Sequence, residues 1–291
     1  MLTRVYLFFW YKIKRLFLYG VSCFYRLFPR KRNLALEEKR FPLNGAGNFI
    51  DVWRFVQTQP WKVFRWLKYW KEVYLIRKQN GLQHAMALIL IVKKMRFELQ
   101  QLLPGFAIDW HLVEDCAFYH DWGEALDLKV GDKIAWEKSD HDDVDEYNRF
   151  VAYVERKYDN ELEIYQLKRI FLLQFVLDNE TMGINPGVSN FPKEAQNILL
   201  DLFQTKKYEA MLFKLSENWD YFLYPIDEYR RTGYAKSLVS VGSYNPQIVR
   251  EIGKHIPQVF IIFWTPEMEC QTEVFLAENT DAQKNLRRWE H

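Results

Sequence analysis

The stretch of sequence that decides the fold reads Leu82-Gln-His-Ala-Met-Ala-Leu-Ile-Leu-Ile-Val-Lys-Lys-Met95. Its apolar residues recur at steps of three and four, which is the period of the buried face of an α-helix. The positions on this face are Ala85, Leu88, Ile89, Val92 and Met95. The pattern therefore predicts a helix that packs into a core, with a histidine, His84, near its start.

Helical periodicity extends along most of the remaining chain. Further helices are predicted over residues 107–127, 147–177, 193–203 and 207–229, with a loop at 185–192. Between them, the acidic stretch at about 128–146 predicts a loop or an inserted hairpin. Only 12 Gly and 10 Pro occur in 291 residues, which favours long helices over a many-turned β-sandwich or barrel. The sequence predicts an all-α fold.

The composition excludes several classes of protein. Hydrophobic residues make up 49% and charged residues 27% of the chain, which is typical of a folded globular protein. Cys23, Cys116 and Cys270 are odd in number and far apart, so they predict neither a disulfide framework nor a thiolate metal knuckle. This cysteine usage favours a cytoplasmic location. The glycine-rich motifs of P-loop and dinucleotide-binding proteins are absent from the sequence.

The first 36 residues differ in character from the rest of the chain. They contain eight basic residues and no acidic residue, while the whole chain has a net charge of only +2. The remaining body is therefore acidic, and no nucleic-acid partner is expected. Charged residues interrupt the aromatic run of this head, so it does not predict a bilayer span. Its aromatic face either packs on the protein or lies on an anionic membrane surface, as a peripheral contact through residues 1–32.

These differences predict three regions in the chain. Residues 1–48 form a basic aromatic N-terminal extension, residues 49–233 form the helical core with the acidic insertion, and residues 234–291 form a C-terminal appendage. The interpretation also allows for a homodimer.

Histidines and carboxylates occur in a particular order along the predicted helices. His84 comes first, then His120-Asp-Trp-Gly-Glu-Ala125, then Lys214-Leu-Ser-Glu-Asn-Trp-Asp220. Two imidazoles and two carboxylates form a mixed nitrogen and oxygen site that suits Mn, Co, Zn, Fe or Ni better than Ca. Glu124 follows Asp121 by three residues, so a helix would project it from the same side.

This order resembles the His…His-Asp…Asp motif of the HD-domain metal-dependent phosphohydrolases. The resemblance covers about residues 62–231. Within it, Leu67-Lys-Tyr-Trp70, Leu75-Ile-Arg77 and Leu82-Gln-His84-Ala look like the opening of the 5'-deoxynucleotidase-like branch. His120-Asp-Trp-Gly-Glu124-Ala is similar to that branch's His-Asp-x-x-Glu element. The resemblance implies an HD-domain helical bundle.

The same resemblance implies roles for individual residues. The metal ligands would be His84, His120, Asp121 and Glu217. Asp220 is the alternative to Glu217, because Glu217 stands where the family has aspartate. Asp121 and Glu124 would be catalytic, the latter by orienting a water or acting as general acid and base. Arg77 would clamp phosphate through its guanidinium, and Trp70 would contact the substrate.

The implied activity is hydrolysis of a phosphomonoester, with a (deoxy)nucleotide as the leading substrate, by a metal-activated water. Two alternatives stay open from the sequence. The same site could hydrolyse a cyclic or pyrophosphorylated nucleotide. The chain could also be a catalytically degenerate HD-fold protein that serves for binding or as a scaffold.

Overall fold

The computed structural model describes residues 81–102, 107–126, 140–178, 181–232 and 247–259. All of them belong to the second of the two compact units into which the chain divides, Phe49–His291. The predicted substrate contacts Trp70 and Arg77, the N-terminal extension 1–48 and most of the acidic insertion lie outside the described residues. The division of the chain at residues 48 and 233 remains a prediction.

Helices make up most of the described chain. They are α1 (Gly81–Leu102), α2 (Trp110–Tyr119), α3 (Trp122–Ala125), α4 (Asp140–Lys157), α5 (Glu161–Leu172), α6 (Lys193–Thr205) and α7 (Lys207–Thr232). Residues 247–255 are also helical. The described residues contain no strand, and one isolated bridge joins Leu177 to Ile184. The predicted all-α fold is confirmed. Among these described helices, none combines the length and the apolar character needed to cross a membrane.

Helix α2 lies at the centre of the described bundle. It packs against α1, α5 and α7, and α7 also packs against α1. The fully buried side chains in this region come from all three of α1, α2 and α7: Leu88, Val92, Met95, Val113, Cys116, Ala117, Met211, Phe213 and Leu215. Because these three helices pack on one another, polar residues on α1 and α7 can meet the end of α2.

One predicted helix, over residues 107–127, is in fact two helices with a break between them. Helix α2 ends at Tyr119, and α3 begins at Trp122. The N–H group of His120 still donates to the carbonyl oxygen of Cys116 at 2.9 Å. Asp121, at φ −88° and ψ 2°, has left the helical region, since it sits in the sparsely populated bridge region of backbone space. The break therefore falls on the His-Asp pair.

Two other predicted boundaries also differ from the structure. The last part of the acidic stretch, residues 140–146, is the beginning of α4 and not a loop or hairpin. Acidic side chains are favourable in the first turns of a helix, where they face the positive end of its dipole. The predicted helix at 147–177 is interrupted before α5, where the Asn160 side chain accepts hydrogen bonds from the N–H groups of Leu162 and Glu163. This is the capping geometry that starts a new helix.

Candidate metal centre

Two histidines and an aspartate meet where the start of α1 faces the break after α2. The ligand atoms of His84, His120 and Asp121 lie within 4.8 Å of one another, and all three residues are buried. His120 Nε2 is 3.1 Å from Asp121 Oδ1, and His84 Nε2 is 3.9 Å from Asp121 Oδ2. Bonds of about 2.1 Å to one ion would place neighbouring ligand atoms roughly 3.0–3.5 Å apart. This group, the His–His–Asp cluster, could hold a metal ion.

Hydrogen bonds on the far side of each imidazole determine which ring nitrogen faces the cluster. His84 Nδ1 is 2.8 Å from Asp220 Oδ2, and His120 Nδ1 is 3.1 Å from the carbonyl oxygen of Ala117. A carboxylate and a carbonyl can only accept, so each Nδ1 carries a proton and donates it. In a neutral ring, Nε2 then keeps its lone pair. When both rings are neutral, each imidazole therefore presents a lone pair on the side of Asp121, as a metal requires.

The donor chemistry of the cluster fits a divalent transition ion. His120 Nε2 is buried and makes no hydrogen bond within the described residues, although Asp121 Oδ1 is close to it. A buried polar atom of this kind is costly unless something binds it. Two imidazole nitrogens and a carboxylate oxygen are ligands that suit Zn, Mn, Fe, Co or Ni. The cluster therefore matches the kind of cofactor that the sequence predicts.

The break between α2 and α3 allows two adjacent residues to serve one site. In a continuous helix of 3.6 residues per turn, neighbouring side chains point about 100° apart. Here the chain turns between His120 and Asp121, and neighbouring helices hold the turn. Gln174 Nε2 donates to the His120 carbonyl oxygen at 2.8 Å, and Arg149 Nε donates to the Gly123 carbonyl oxygen at 2.8 Å.

Helix α3 also approaches α4 very closely at a glycine. A Cβ atom added at Gly123 would lie 2.5 Å from the Glu146 carbonyl oxygen and 2.9 Å from Phe171 Cζ. Only glycine fits such an approach without movement of the backbone. The sequence reasoning missed Gly123, Gln174 and Arg149. Of the three, only Gly123 carries a sequence signal, because a glycine inside a helical motif often has a packing reason.

Two of the predicted site carboxylates lie outside the cluster. Glu124 is buried on α3, only 4% exposed, and it is not one of the three clustered residues. Glu217 on α7 is 3.4 Å from Lys214 Nζ, and its side chain is 19% exposed. It does not join the cluster either, so its assignment as fourth ligand remains a prediction. The alternative, Asp220, is hydrogen-bonded to His84.

The only described cysteine near the centre is not a thiolate. Cys116 lies one turn before His120 and is buried. Burial raises the pKa of the Cys116 thiol well above its usual value, against the opposing effect of Lys214. At neutral pH the sulfur is therefore protonated, and thiolates rather than thiols bind metals. The ligand chemistry of this part of the chain is nitrogen and oxygen only.

A comparison of the chain with family models, curated proteins and solved structures finds no match in any of the three. The resemblance to HD-domain phosphohydrolases therefore depends on the motif residues, and membership of that family remains a prediction.

Proposed function

We propose that the protein is a metal-dependent phosphohydrolase whose ion is bound by His84, His120 and Asp121. One observation carries the proposal: the Nε2 atoms of two buried imidazoles face one buried carboxylate, while each Nδ1 is hydrogen-bonded on the other side of its ring. A solvated group of acids and histidines has no such hydrogen-bonded orientation. An active hydrolase is favoured over the degenerate scaffold because three of the four predicted ligands come together in one buried cluster.

The residues of the centre would have separate roles in the proposed reaction. A bound divalent ion would supply Lewis acidity and bring the pKa of a coordinated water toward about 7. His84, His120 and Asp121 provide three ligands, which leaves room for water and a phosphate oxygen. Asp121 also supplies negative charge that balances the cation. Glu124, buried on α3, would take the proton of the attacking water and return it to the leaving group.

The substrate class follows from the motif rather than from the cluster. A phosphomonoester, foremost a (deoxy)nucleotide, is the substrate that the resemblance implies. Arg77 would clamp the phosphate and Trp70 would contact the remainder of the substrate; both lie outside the described residues. Hydrolysis of a cyclic or pyrophosphorylated nucleotide would use the same centre, so a substrate screen must include both.

The test measures bound metal and phosphate release in the same preparations. Metal-free protein is reloaded with Mn, Co, Zn, Fe or Ni and assayed on nucleoside mono-, di- and triphosphates and on cyclic nucleotides. We expect about one equivalent of metal and metal-dependent release from monophosphates. H120A should lose both, while H111A, which alters an exposed histidine on α2, the helix that His120 caps, should keep both. Circular dichroism checks that the helices remain.

Each outcome of this test has a definite meaning. Wild-type protein that takes up far less than one equivalent of every ion would overturn the metal centre. Full metal loading without release from any phosphate ester would overturn the hydrolase and leave the binding or scaffold alternative.

A further inference from the structure

We infer that Asp220 is a positioning residue of the metal centre, which acts through His84 and does not itself bind the ion. The inference rests on the proposed function, since it assigns a role within the same centre. It starts from one contact: Asp220 Oδ2 lies 2.8 Å from His84 Nδ1 and joins α7 to α1 across 136 residues of chain. Both side chains are largely buried, with 13% and 5% exposed.

The contact decides where the proton of His84 resides. A carboxylate can only accept, so it holds the proton on Nδ1, and the lone pair of a neutral ring is then on Nε2. A carboxylate behind a metal-binding histidine also fixes the orientation of the ring and raises its basicity. If the Asp220 carboxylate were removed, the proton of His84 could reside on Nε2 instead of Nδ1. Asp121 Oδ2, 3.9 Å from Nε2, would favour that position.

The two histidines of the centre depend on tertiary structure to different degrees. The Nδ1 of His120 bonds to the carbonyl oxygen of Ala117, three residues earlier on its own helix. That acceptor is supplied by local backbone and needs no other element. The hydrogen-bond acceptor for His84 Nδ1 is instead a side chain on α7, that of Asp220. Correct orientation of His84 therefore requires α7 to be packed against α1, as it is.

The geometry also argues against Asp220 as a ligand. The Asp220 carboxylate is not among the groups whose ligand atoms lie within 4.8 Å of one another. Its nearest oxygen faces Nδ1 of His84, whereas the cluster is on the Nε2 side of the same ring. An oxygen that accepts a proton from Nδ1 is directed away from an ion bound at Nε2. Asp220 thus supports a ligand and is not one itself.

The first test reads the tautomer directly in metal-free protein. Nitrogen NMR of ¹⁵N-histidine-labelled protein, assigned with H84Q, reports which ring nitrogen carries the proton. We expect His84 to be protonated on Nδ1 in the wild type, and to shift toward Nε2 protonation in D220L. D220A, which also removes the acceptor, serves if D220L does not fold. A wild-type His84 protonated on Nε2 would overturn the inference.

The second test measures the affinity for Co²⁺ and the absorption spectrum of the bound ion. In D220L, the affinity for Co²⁺ should fall about 10–100-fold, while one equivalent still binds with the visible absorption bands of the wild type. D201L removes an ion-paired carboxylate on α6, whose partner is Arg169, and should leave both affinity and spectrum unchanged. A changed Co²⁺ spectrum in D220L would make Asp220 a ligand and overturn its positioning role.

The two tests also separate this inference from the proposed function. If wild-type protein binds no metal, the proposed function fails. The tautomer measured in the same metal-free sample still decides whether Asp220 determines the protonation of His84.

Discussion

Gln174 Nε2 donates to the carbonyl oxygen of His120 over 2.8 Å, and also reaches the carbonyl oxygen of Phe171 at 3.2 Å. Gln174 belongs to the 3₁₀ turn that follows α5, so a residue far along the chain holds the backbone where α2 ends. A helix end leaves carbonyl groups without partners in the helix. The Gln174 amide satisfies one of them at His120, a residue of the His–His–Asp cluster.

Removal of this amide should affect both stability and metal binding. Q174A is expected to lower the free energy of unfolding by about 1 kcal/mol, because a buried carbonyl loses its hydrogen bond. It should also weaken metal affinity, since the His120 backbone is less restrained. Urea unfolding and metal titration measure the two effects. Q196A is the matched control, because Gln196 Nε2 also bonds two carbonyl oxygens, those of Ser189 and Phe191, away from the centre. Equal metal affinities in the two variants would contradict this role for Gln174.

The close approach of α3 to α4 gives a second prediction. G123A introduces a Cβ atom 2.5 Å from the Glu146 carbonyl oxygen, so the backbone must move. Overpacking of this kind costs about 1–3 kcal/mol of unfolding free energy, and the displaced α3 should also weaken metal binding. G183A is the control, because among the described residues its added atom meets the Thr181 hydroxyl, at 3.2 Å, and no backbone atom. Thermal unfolding of both variants checks the prediction, which a stable G123A protein would refute.

A lysine between α4 and α6 gives a prediction about pH. Lys168 Nζ lies 3.0 Å from Glu155 Oε1 and 3.1 Å from Glu194 Oε2. Burial lowers the pKa of Lys168, but the two carboxylates raise it by more, so the net pKa is above its ordinary value. A pKa raised in the folded state means a stabilisation that is complete below the unfolded pKa of about 10.4. That stabilisation is lost as the pH rises through the folded pKa.

The substitution K168M should therefore be more costly at pH 8 than at pH 11. Both glutamates are more than half exposed, which limits the expected cost at pH 8 to about 1 kcal/mol. Urea unfolding of wild type and variant at the two pH values measures the difference. K254M removes an exposed lysine that pairs with Glu251 and should change stability little at either pH. A K168M cost that grows with pH would contradict the assigned interaction.

The fourth ligand implied by the resemblance gives a last prediction. Because Glu217 pairs with Lys214 and does not join the His–His–Asp cluster, we expect E217Q to weaken metal affinity less than tenfold. H120A should weaken it far more, since a ligand is lost. Titration of both variants with Co²⁺ compares the two losses. A loss in E217Q as large as that in H120A would instead establish Glu217 as a ligand.

The sequence by itself determined the all-α class and the extent of the later helices. Apolar residues at three- and four-residue steps give a helix one face that is more stable when buried than in water, whichever element covers it. Periodicity therefore predicted α6 and α7 closely. The same local reasoning singled out His84, His120 and Asp121, since metal-binding chemistry depends on residue type and on order along helices. The structure brings these three residues together.

Only the tertiary structure decided how those residues are oriented. The break at His120-Asp121 is held by Gln174 and Arg149, which lie on elements that no local pattern connects to it. The acceptor of the His84 proton, Asp220, is 136 residues away. None of these three contacts has a signature in hydrophobic periodicity, which reports which face of a helix is buried but not which helix covers it. The contact between His84 and Asp220 can form, and can stabilise the protein, only after α7 has packed on α1.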